Sequence, residues 1–158
     1  MESETKFICD MMLGRLSKWL KILGYDTLYF REITDAKLLR YARDENRLLL
    51  TRDTRLMERR PIRVGQVQAI LIADDNWRAQ LSQVAGELNL VAQPVPRCAK
   101  CNARLRPVGR ESVKNHVPPY VWKSQRSFTR CPKCAQIFWQ ATHWDNIKAT
   151  ASELVTSV

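Results

Sequence analysis

The chain has 158 residues, of which 45% are hydrophobic and 27% charged, so it can bury a core and does not resemble a disordered chain. No apolar run approaches the roughly 20 residues that span a bilayer, and the polar, acidic start MESETKF lacks the features of a signal peptide. We therefore expect a cytoplasmic protein without a membrane partner.

Positive charge is concentrated in the last third of the chain, although the whole sequence carries a formal net charge of +10. Lys and Arg outnumber Asp and Glu by 15 to 13 in residues 1–96 and by 11 to 3 in residues 97–158. Because a basic segment attracts phosphates and releases their counterions, this asymmetry favours nucleic acid as a partner. A solubilising surface is the alternative interpretation.

Apolar strands alternate with amphipathic helices in the first part of the chain. The predicted order is strand FICDMM, helix MLGRLSKWLKILGY, strand DTLYF, helix TDAKLLRYARDEN, strand RLLLT, strand QAILIA and helix DDNWRAQLSQVAGELNL. In the first helix Arg15, Lys18 and Lys21 lie off the apolar stripe. This alternation predicts right-handed βαβ units, and hence an α/β fold with a mostly parallel sheet flanked by helices. The prolines of AQPVPRC predict a boundary between domains 1–94 and 95–158.

Four of the five cysteines form two CxxC pairs, RCAKC and RCPKC, with 29 residues between them. Cys98, Cys101, Cys131 and Cys134 match a closed tetrahedral Zn–S₄ site, which predicts a structural zinc ion in a small C-terminal ribbon. The insert is longer than usual for such sites, and we expect a short hairpin arm to fill it. Redox-active CxxC pairs, or a ligand set that includes His116 or His143, are the weaker alternatives.

Acidic residues follow three of the predicted strands. Asp10 ends the first strand, Asp53 follows the third, Asp74 and Asp75 follow the fourth, and Asp35 opens the second helix. Because functional groups collect at the carboxyl ends of parallel strands, such acids can hold Mg²⁺ or Mn²⁺. Helix capping is the alternative role for Asp35, Asp74 and Asp75, and a turn is the alternative for Asp53.

Several other functions lack their motifs. The sequence contains no GxGxxG or GxxxxGK[ST] loop, which makes a nucleotide-binding cradle improbable. It contains no Gx[SC]xG elbow and only two histidines, so a hydrolase triad is hard to assemble. A receiver-like signalling domain ranks low, because no lysine follows the strand QAILIA.

Four motifs together resemble one known family, and they span nearly the whole chain. The stretches CDMMLGRLSKWLKILGYDT, TDAKLLRYARDENRLLLTRDTRL, QL and RCAKCN…RCPKC…FW…HW are similar to the PIN-like ribonucleases of the mutator-seven C-terminal type. The resemblance implies a PIN-like α/β domain followed by a zinc ribbon, and metal-dependent hydrolysis of RNA. It also implies that Asp10, Asp35 and Asp53 are the catalytic acids and the ligands of Mg²⁺ or Mn²⁺.

Basic residues near the acids and in the ribbon are candidates to contact single-stranded RNA. They are Arg15, Lys18, Arg52, Arg55, Arg104, Arg106, Lys123 and Arg126. Solvated surface is the alternative role for each of them. Trp122 and Phe128 lie among the basic residues of the ribbon, where they either stack on bases or pack its core. The ribbon is also a candidate site for a protein partner. The competing function is a zinc-ribbon RNA-binding protein without catalysis.

Overall fold

The computed structural model describes residues 4–93 and 95–139, and two sheets organise them. The first sheet and its helices comprise β1 (Phe7–Cys9), a 3₁₀ turn (Met11–Leu13), α1 (Gly14–Ile22), β2 (Thr27–Tyr29), α2 (Asp35–Asp44), β3 (Leu48–Thr51), α3 (Thr54–Met57), α4 (Arg60–Arg63), β4 (Ala69–Leu71) and α5 (Trp77–Leu88). None of the helices described is long and apolar enough to cross a bilayer.

The first sheet is parallel throughout, with the strand order β2-β1-β3-β4. The predicted α/β class and all four predicted strands are therefore confirmed. We call the end where the strands start the amino edge, and the end where they finish the carboxyl edge.

Helices cover both faces of this sheet, as the apolar strands require. Phe7, Cys9 and Leu50 point into one core, together with the inner faces of α1 and α5. Ile8 and Leu49, their neighbours in the strands, point into the other core, together with α2 and α3. Because successive strand residues face opposite sides, one uninterrupted apolar run serves both cores.

The helical stripe of α1 is buried as the spacing predicts, and its residues Leu16 and Leu20 are fully inaccessible. Trp19 stacks on Trp77 of α5 with ring centroids 4.6 Å apart. Lys21 departs from the prediction, because it lies off the stripe and is nevertheless only 6% exposed. Its ammonium donates to the carbonyl of Ala99, a distant contact that no local pattern in α1 can reveal.

The N-caps of α2 and α5 are Thr34 and Asn76, and not the aspartates considered for that role. Thr34 caps α2, since its hydroxyl accepts a hydrogen bond from the Lys37 amide at 3.3 Å. Asn76 caps α5, since its side chain accepts from the Arg78 amide at 2.9 Å. The capping roles considered for Asp35, Asp74 and Asp75 are therefore wrong.

The second sheet is antiparallel and small. It has the order β5-β6-β7, formed by β5 (Arg106–Val108), β6 (Phe128–Arg130) and β7 (Ile137–Trp139). A 3₁₀ turn (Arg110–Val113) and α6 (Pro119–Ser124) separate β5 from β6, so the expected hairpin arm carries a helical insert. The division into domains 1–94 and 95–158 stays a prediction.

Candidate functional site

Asp10 lies at the carboxyl edge, directly after β1, and only 8% of it is exposed. Its Oδ2 accepts a hydrogen bond from the Thr51 hydroxyl at 2.7 Å. The same hydroxyl oxygen accepts from the Asp53 amide at 3.0 Å. Thr51, the last residue of β3, therefore joins the two acids. Thr51 was missed in the sequence, where its signal is a polar residue that ends an otherwise apolar strand.

Asp53 caps the four-residue helix α3. Its Oδ1 accepts hydrogen bonds from the amides of Arg55 at 2.9 Å and Leu56 at 3.3 Å. This bond pattern explains why the apolar stretch RLLLT leads straight into RDTRL, because the chain needs an acceptor where it turns from strand to helix. Asp53 therefore has a structural role, and its catalytic role stays a prediction.

Asp35 lies at the first position of α2, and its side chain is 51% exposed. Its Oδ2 lies 3.6 Å from a guanidinium nitrogen of Arg59, a residue between α3 and α4. This ion pair brings the start of α2 close to the end of α3. Because both partners are half exposed, the pair itself adds little stability.

The three predicted catalytic acids do not form a closed ligand set. Within residues 4–93 and 95–139, no three acidic side chains offer ligand oxygens within 4.8 Å of one another. The Thr51 hydroxyl contacts the Asp10 carboxylate and the Asp53 backbone amide, and the Asp35 carboxylate pairs with Arg59. Magnesium commonly uses one or two carboxylates and fills the other positions with water and phosphate, so the donor chemistry fits an open site.

Asp74 lies at the same edge, because β4 is the neighbour of β3. Its Oδ1 accepts from the Asn76 amide at 2.8 Å. This bond is the main cause that holds the pKa of Asp74 below its ordinary value, and the positive charge of Arg52 acts in the same direction. Arg52 thus lies within electrostatic reach of Asp74.

The predicted RNA contacts fall into two groups. Arg15, Arg52 and Arg55 lie near the carboxyl edge, on α1 or beside Asp53. The Nε atom of Arg52 is buried and has no hydrogen-bond partner in the described chain. Such an orphaned donor is costly unless an acceptor reaches it, and a phosphate oxygen is a suitable acceptor.

The second group lies on or near the ribbon. Lys18 lines a cavity of about 340 Å³ between α1 and the ribbon. Arg104 forms an exposed ion pair with Glu4 at 3.2 Å. Arg106, Lys123 and Arg126 are exposed.

The aromatic residues of the ribbon pack mainly in its core. Phe128 is 3% exposed, so packing and not base stacking is its role. Trp122 is partly covered, with the Arg110 guanidinium 3.8 Å from its ring centroid. Tyr120 on α6 is 73% exposed, which makes it the aromatic side chain of this segment that is available for stacking. The sequence analysis missed Tyr120.

The four cysteines of the CxxC pairs converge in space. Their sulfur atoms all lie within 4.8 Å of one another, and the Sγ atoms of Cys98 and Cys134 are 3.9 Å apart. Thiolates at about 2.3 Å from a tetrahedral Zn²⁺ lie about 3.8 Å apart. The described cysteines are free of disulfides. The four cysteines can therefore hold a zinc ion. His116 is exposed and outside the cluster, and His143 lies outside the described residues.

The two CxxC turns, which we call the first and second knuckles, have the same local structure. In the first, the Cys101 amide donates to Cys98 Sγ at 3.4 Å, and Asn102 has a left-handed φ of 66°. In the second, the Cys134 amide donates to Cys131 Sγ at 3.5 Å, and Ala135 has a φ of 62°. Amide donors oriented toward sulfur are the arrangement that stabilises thiolates.

The thiols of the cluster differ in the direction of their pKa shifts. Burial opposes ionisation of Cys131, but the amides of Cys134 and Lys133 and the neighbouring thiols outweigh it and lower its pKa to about 7. Burial raises the pKa of Cys98. Cys9 is separate from the cluster. Its pKa rises to about 12 because it is buried, which fits an inert core residue.

The first knuckle is attached to the amino edge of the parallel sheet. Asn102 donates to Asp26 Oδ1 at 2.6 Å and accepts from the Thr27 amide at 3.0 Å. Asp26 also pairs with Arg47 at 2.8 Å, and Arg47 donates to the carbonyl of Phe7. We call this group, Asp26, Thr27, Arg47 and Asn102, the amino-edge contact. It connects the starts of three strands to the CxxC turn.

Lys21 joins α1 to the same knuckle. Its ammonium donates to the Ala99 carbonyl at 3.3 Å. Burial lowers the pKa of Lys21, while the thiols of Cys9, Cys98 and Cys101 oppose that shift. The zinc-type site and the acids therefore lie at opposite edges of the sheet, since α1 starts beside Asp10 and ends beside this knuckle.

Comparisons with known proteins add one assignment. No curated protein and no solved structure matches the chain. Residues 5–151, however, match the family described as the Mut7-C RNAse domain. That match covers most of the sequence and includes both the acids of the carboxyl edge and all four clustered cysteines. The chain therefore belongs to the Mut7-C RNAse domain family.

Proposed function

We propose that this protein is a metal-dependent ribonuclease that hydrolyses phosphodiester bonds of single-stranded RNA at the carboxyl edge. Membership in an RNAse-domain family carries the substrate class. The observation that supports the location is the Asp10–Thr51–Asp53 arrangement, in which a buried hydroxyl holds one acid and accepts from the amide of the other.

In this proposal Asp10 and Asp53 would hold Mg²⁺ or Mn²⁺, and Asp35 would exchange its pairing with Arg59 for a place as the third ligand. When bound there, such an ion would supply an activated water and neutralise charge on the scissile phosphate. Thr51 fixes the orientation of Asp10 through its 2.7 Å hydrogen bond. Asp74 is the candidate for a further acid, because β4 ends beside β3.

Cationic side chains would position the substrate. Arg52 has a buried Nε without a partner in the described residues, and Arg55, the second residue of α3, is exposed. Both flank Asp53, so a phosphate bound between them would lie beside the acids. Guanidinium groups bind phosphate oxygens in a forked geometry, which orients as well as attracts the backbone.

The zinc ion would be structural. Its four cysteines leave no open position for water or substrate, and the site lies at the edge opposite to the acids. The ribbon would then contribute RNA or partner binding through Arg104, Arg106, Lys123 and Arg126, with Tyr120 as a stacking residue.

A zinc-ribbon RNA-binding protein without catalysis is the second candidate. One observation favours it: Asp53 and Asp35 each have a structural partner, the first as a helix cap and the second in an ion pair with Arg59. An acid that only stabilises a helix would leave RNA binding intact when its charge is removed.

The test uses Asp53→Asn, because asparagine caps helices as well as aspartate and removes only the charge. Glu58→Gln is the matched control, since Glu58 is exposed, follows α3 and loses the same charge. End-labelled single-stranded RNA is incubated with zinc-loaded protein in metal-depleted buffer, with and without added Mn²⁺. Chelators are omitted so that the ribbon keeps its zinc.

We expect cleavage by wild type and Glu58→Gln only with added Mn²⁺, and a loss of about a hundredfold or more in Asp53→Asn. Zinc content and thermal stability should match in all three proteins. Undiminished cleavage by Asp53→Asn would refute the proposed site. Equal RNA binding without cleavage by any protein would favour the binding module.

A further inference from the structure

Lys21 is an unusual lysine, because its side chain is enclosed. Only 6% of the residue is exposed, whereas lysines are almost never fully buried without a partner. It is the penultimate residue of the amphipathic helix α1, and its ammonium contacts the first knuckle. A buried ammonium loses its hydration, and this loss must be offset by nearby acceptors or negative charge.

The acceptors found around Lys21 belong to the first knuckle. Its ammonium donates to the carbonyl of Ala99, the residue that follows Cys98. The ion pairs of residues 4–93 and 95–139 do not include Lys21. Ala99 lies between Cys98 and Cys101, so the ammonium is held at the turn that carries two of the four clustered sulfurs. One carbonyl at 3.3 Å is a modest partner for a full positive charge.

A zinc-loaded cluster would supply the missing negative charge. Four thiolates and one Zn²⁺ together carry −2, and such a centre is most stable when surrounding groups donate hydrogen bonds or carry positive charge. Lys21 is a buried cation whose ammonium contacts the Ala99 carbonyl, between the two cysteines of the first knuckle, and it comes from an element outside the ribbon.

We propose that Lys21 is an outer-sphere member of the zinc site, and that its buried ammonium balances part of the negative charge of the zinc–thiolate centre. The proposal rests on zinc binding by the four cysteines. It assigns to α1 a role in metal affinity that the CxxC pattern alone does not contain. Because only 6% of the residue is exposed and its ammonium is bonded to Ala99, this side chain is a poor candidate for an RNA contact.

The experiment measures zinc affinity and stability for wild type, Lys21→Met and Lys37→Met. Methionine matches the unbranched aliphatic part of the lysine side chain and removes the ammonium. Lys37 is the control because it is exposed on α2 and loses the same charge. Zinc affinity is measured by competition with a chromogenic chelator, and urea unfolding is followed with and without bound zinc.

We expect zinc affinity to fall about 10- to 100-fold in Lys21→Met and to stay unchanged in Lys37→Met. We also expect the effect of Lys21→Met on stability to differ in sign without and with zinc. Without zinc, Lys21→Met should be at least as stable as wild type, because a poorly paired buried charge has been removed. With zinc, it should be less stable than wild type.

Two results would overturn the proposal. Unchanged zinc affinity in Lys21→Met would show that the ammonium does not act on the metal centre. An equal loss of stability with and without zinc would show a packing role only. If Lys21→Met fails to fold, Lys21→Gln provides the same comparison, since it keeps a donor for the Ala99 carbonyl and lacks the charge. Absence of zinc binding in wild type would instead refute the zinc site itself.

Discussion

Charged residues have different bonding partners at the two edges of the parallel sheet. At the amino edge, Asp26 and Arg47 are paired at 2.8 Å; Asp26 also accepts from Asn102, and Arg47 also donates to the Phe7 carbonyl. At the carboxyl edge, Asp35 is half exposed and Asp74 is bonded only locally, to the Asn76 amide.

This difference separates two uses of polar groups. Charges that hold a fold together are saturated by protein partners, because an unmet buried charge is costly. Charges that act on a substrate must keep ligand capacity for an ion or a phosphate. We therefore expect substitutions at the amino edge to change mainly stability, and substitutions at the carboxyl edge to change mainly the rate of cleavage.

The largest effect should come from removal of zinc. When free zinc exceeds its dissociation constant a thousandfold, binding stabilises the fold by about 4 kcal/mol. We therefore expect Cys131→Ser, or zinc-free wild type, to lose at least about this much stability in urea unfolding. Cys9→Ser does not test this, because Cys9 lies in the core and away from the cluster.

Hydrogen exchange can locate that loss. The Thr27 amide donates to Asn102 at the amino edge, and the Leu56 amide donates to Asp53 at the carboxyl edge. Zinc removal should speed exchange at Thr27 more than at Leu56. An equal increase at both amides would contradict a local link between the first knuckle and the amino edge.

The next effect concerns the buried ion pair. Asp26→Asn leaves the Arg47 guanidinium, whose side chain is 6% exposed, without its closest carboxylate. We expect a destabilisation of about 2–3 kcal/mol, since Asp26 retains some solvent contact. Asp44→Asn is the control, because the Arg43–Asp44 pair is more than half exposed and should contribute less than about 0.5 kcal/mol. Similar losses in both variants would contradict the prediction.

The same pair predicts a pH dependence. Burial opposes ionisation of Asp26, but the hydrogen bonds from Arg47 and Asn102 and the guanidinium charges outweigh it and lower its pKa below the ordinary 3.8. The ionised form therefore stabilises the folded state above pH 3.8, and this contribution is lost as the pH falls through the folded pKa. In zinc-free protein, the stability difference between wild type and Asp26→Asn should shrink as the pH falls below 3.8 and through the pKa of Asp26 in the folded state. A constant difference would contradict the assignment.

A smaller change in stability, with a change in cleavage, is expected at Thr51. Thr51→Val keeps the shape and removes the hydroxyl that contacts Asp10 and the Asp53 amide. We expect a loss of about 1–2 kcal/mol and a lower cleavage rate, because one amide loses its acceptor and Asp10 loses its orientation. Thr51→Ser keeps the hydroxyl and should retain more activity than Thr51→Val. The reverse order would mean that the methyl group matters and the hydrogen bond does not.

The sequence predicted the fold well where the signals are local. The spacing of Leu16, Trp19 and Leu20 identified the buried face of α1, and the apolar runs identified all four parallel strands. The CxxC pairs identified the cysteine cluster, because their spacing reflects the geometry of one tetrahedral ion.

Predictions were less successful where the deciding contact is distant or where two residues compete for one role. Lys21 is buried by a segment 78 residues away, as its bond to Ala99 shows. Asn76, and not Asp74, caps α5. The Asn76 side chain accepts from the amide of Arg78 inside the helix, whereas the Asp74 side chain accepts from the amide of Asn76, before the helix begins. Whether Asp10, Asp35 and Asp53 bind one ion depends on side-chain convergence, and no periodic pattern encodes that.

The smallest change in stability is expected for a substitution in the second knuckle, which is not part of the amino-edge contact. Ala135 has a φ of 62°, in a region that alanine rarely adopts, whereas Asn102 holds the equivalent position of the first knuckle. We expect Ala135→Gly to stabilise the zinc-loaded protein by up to about 1 kcal/mol, because glycine adopts this conformation without a Cβ penalty. Asn102→Gly has the same backbone advantage but loses the bonds to Asp26 and Thr27, so it should be destabilising. Urea unfolding of the two variants separates backbone strain from the contact with the sheet, and stabilisation by both would show that the amino-edge contact adds no stability.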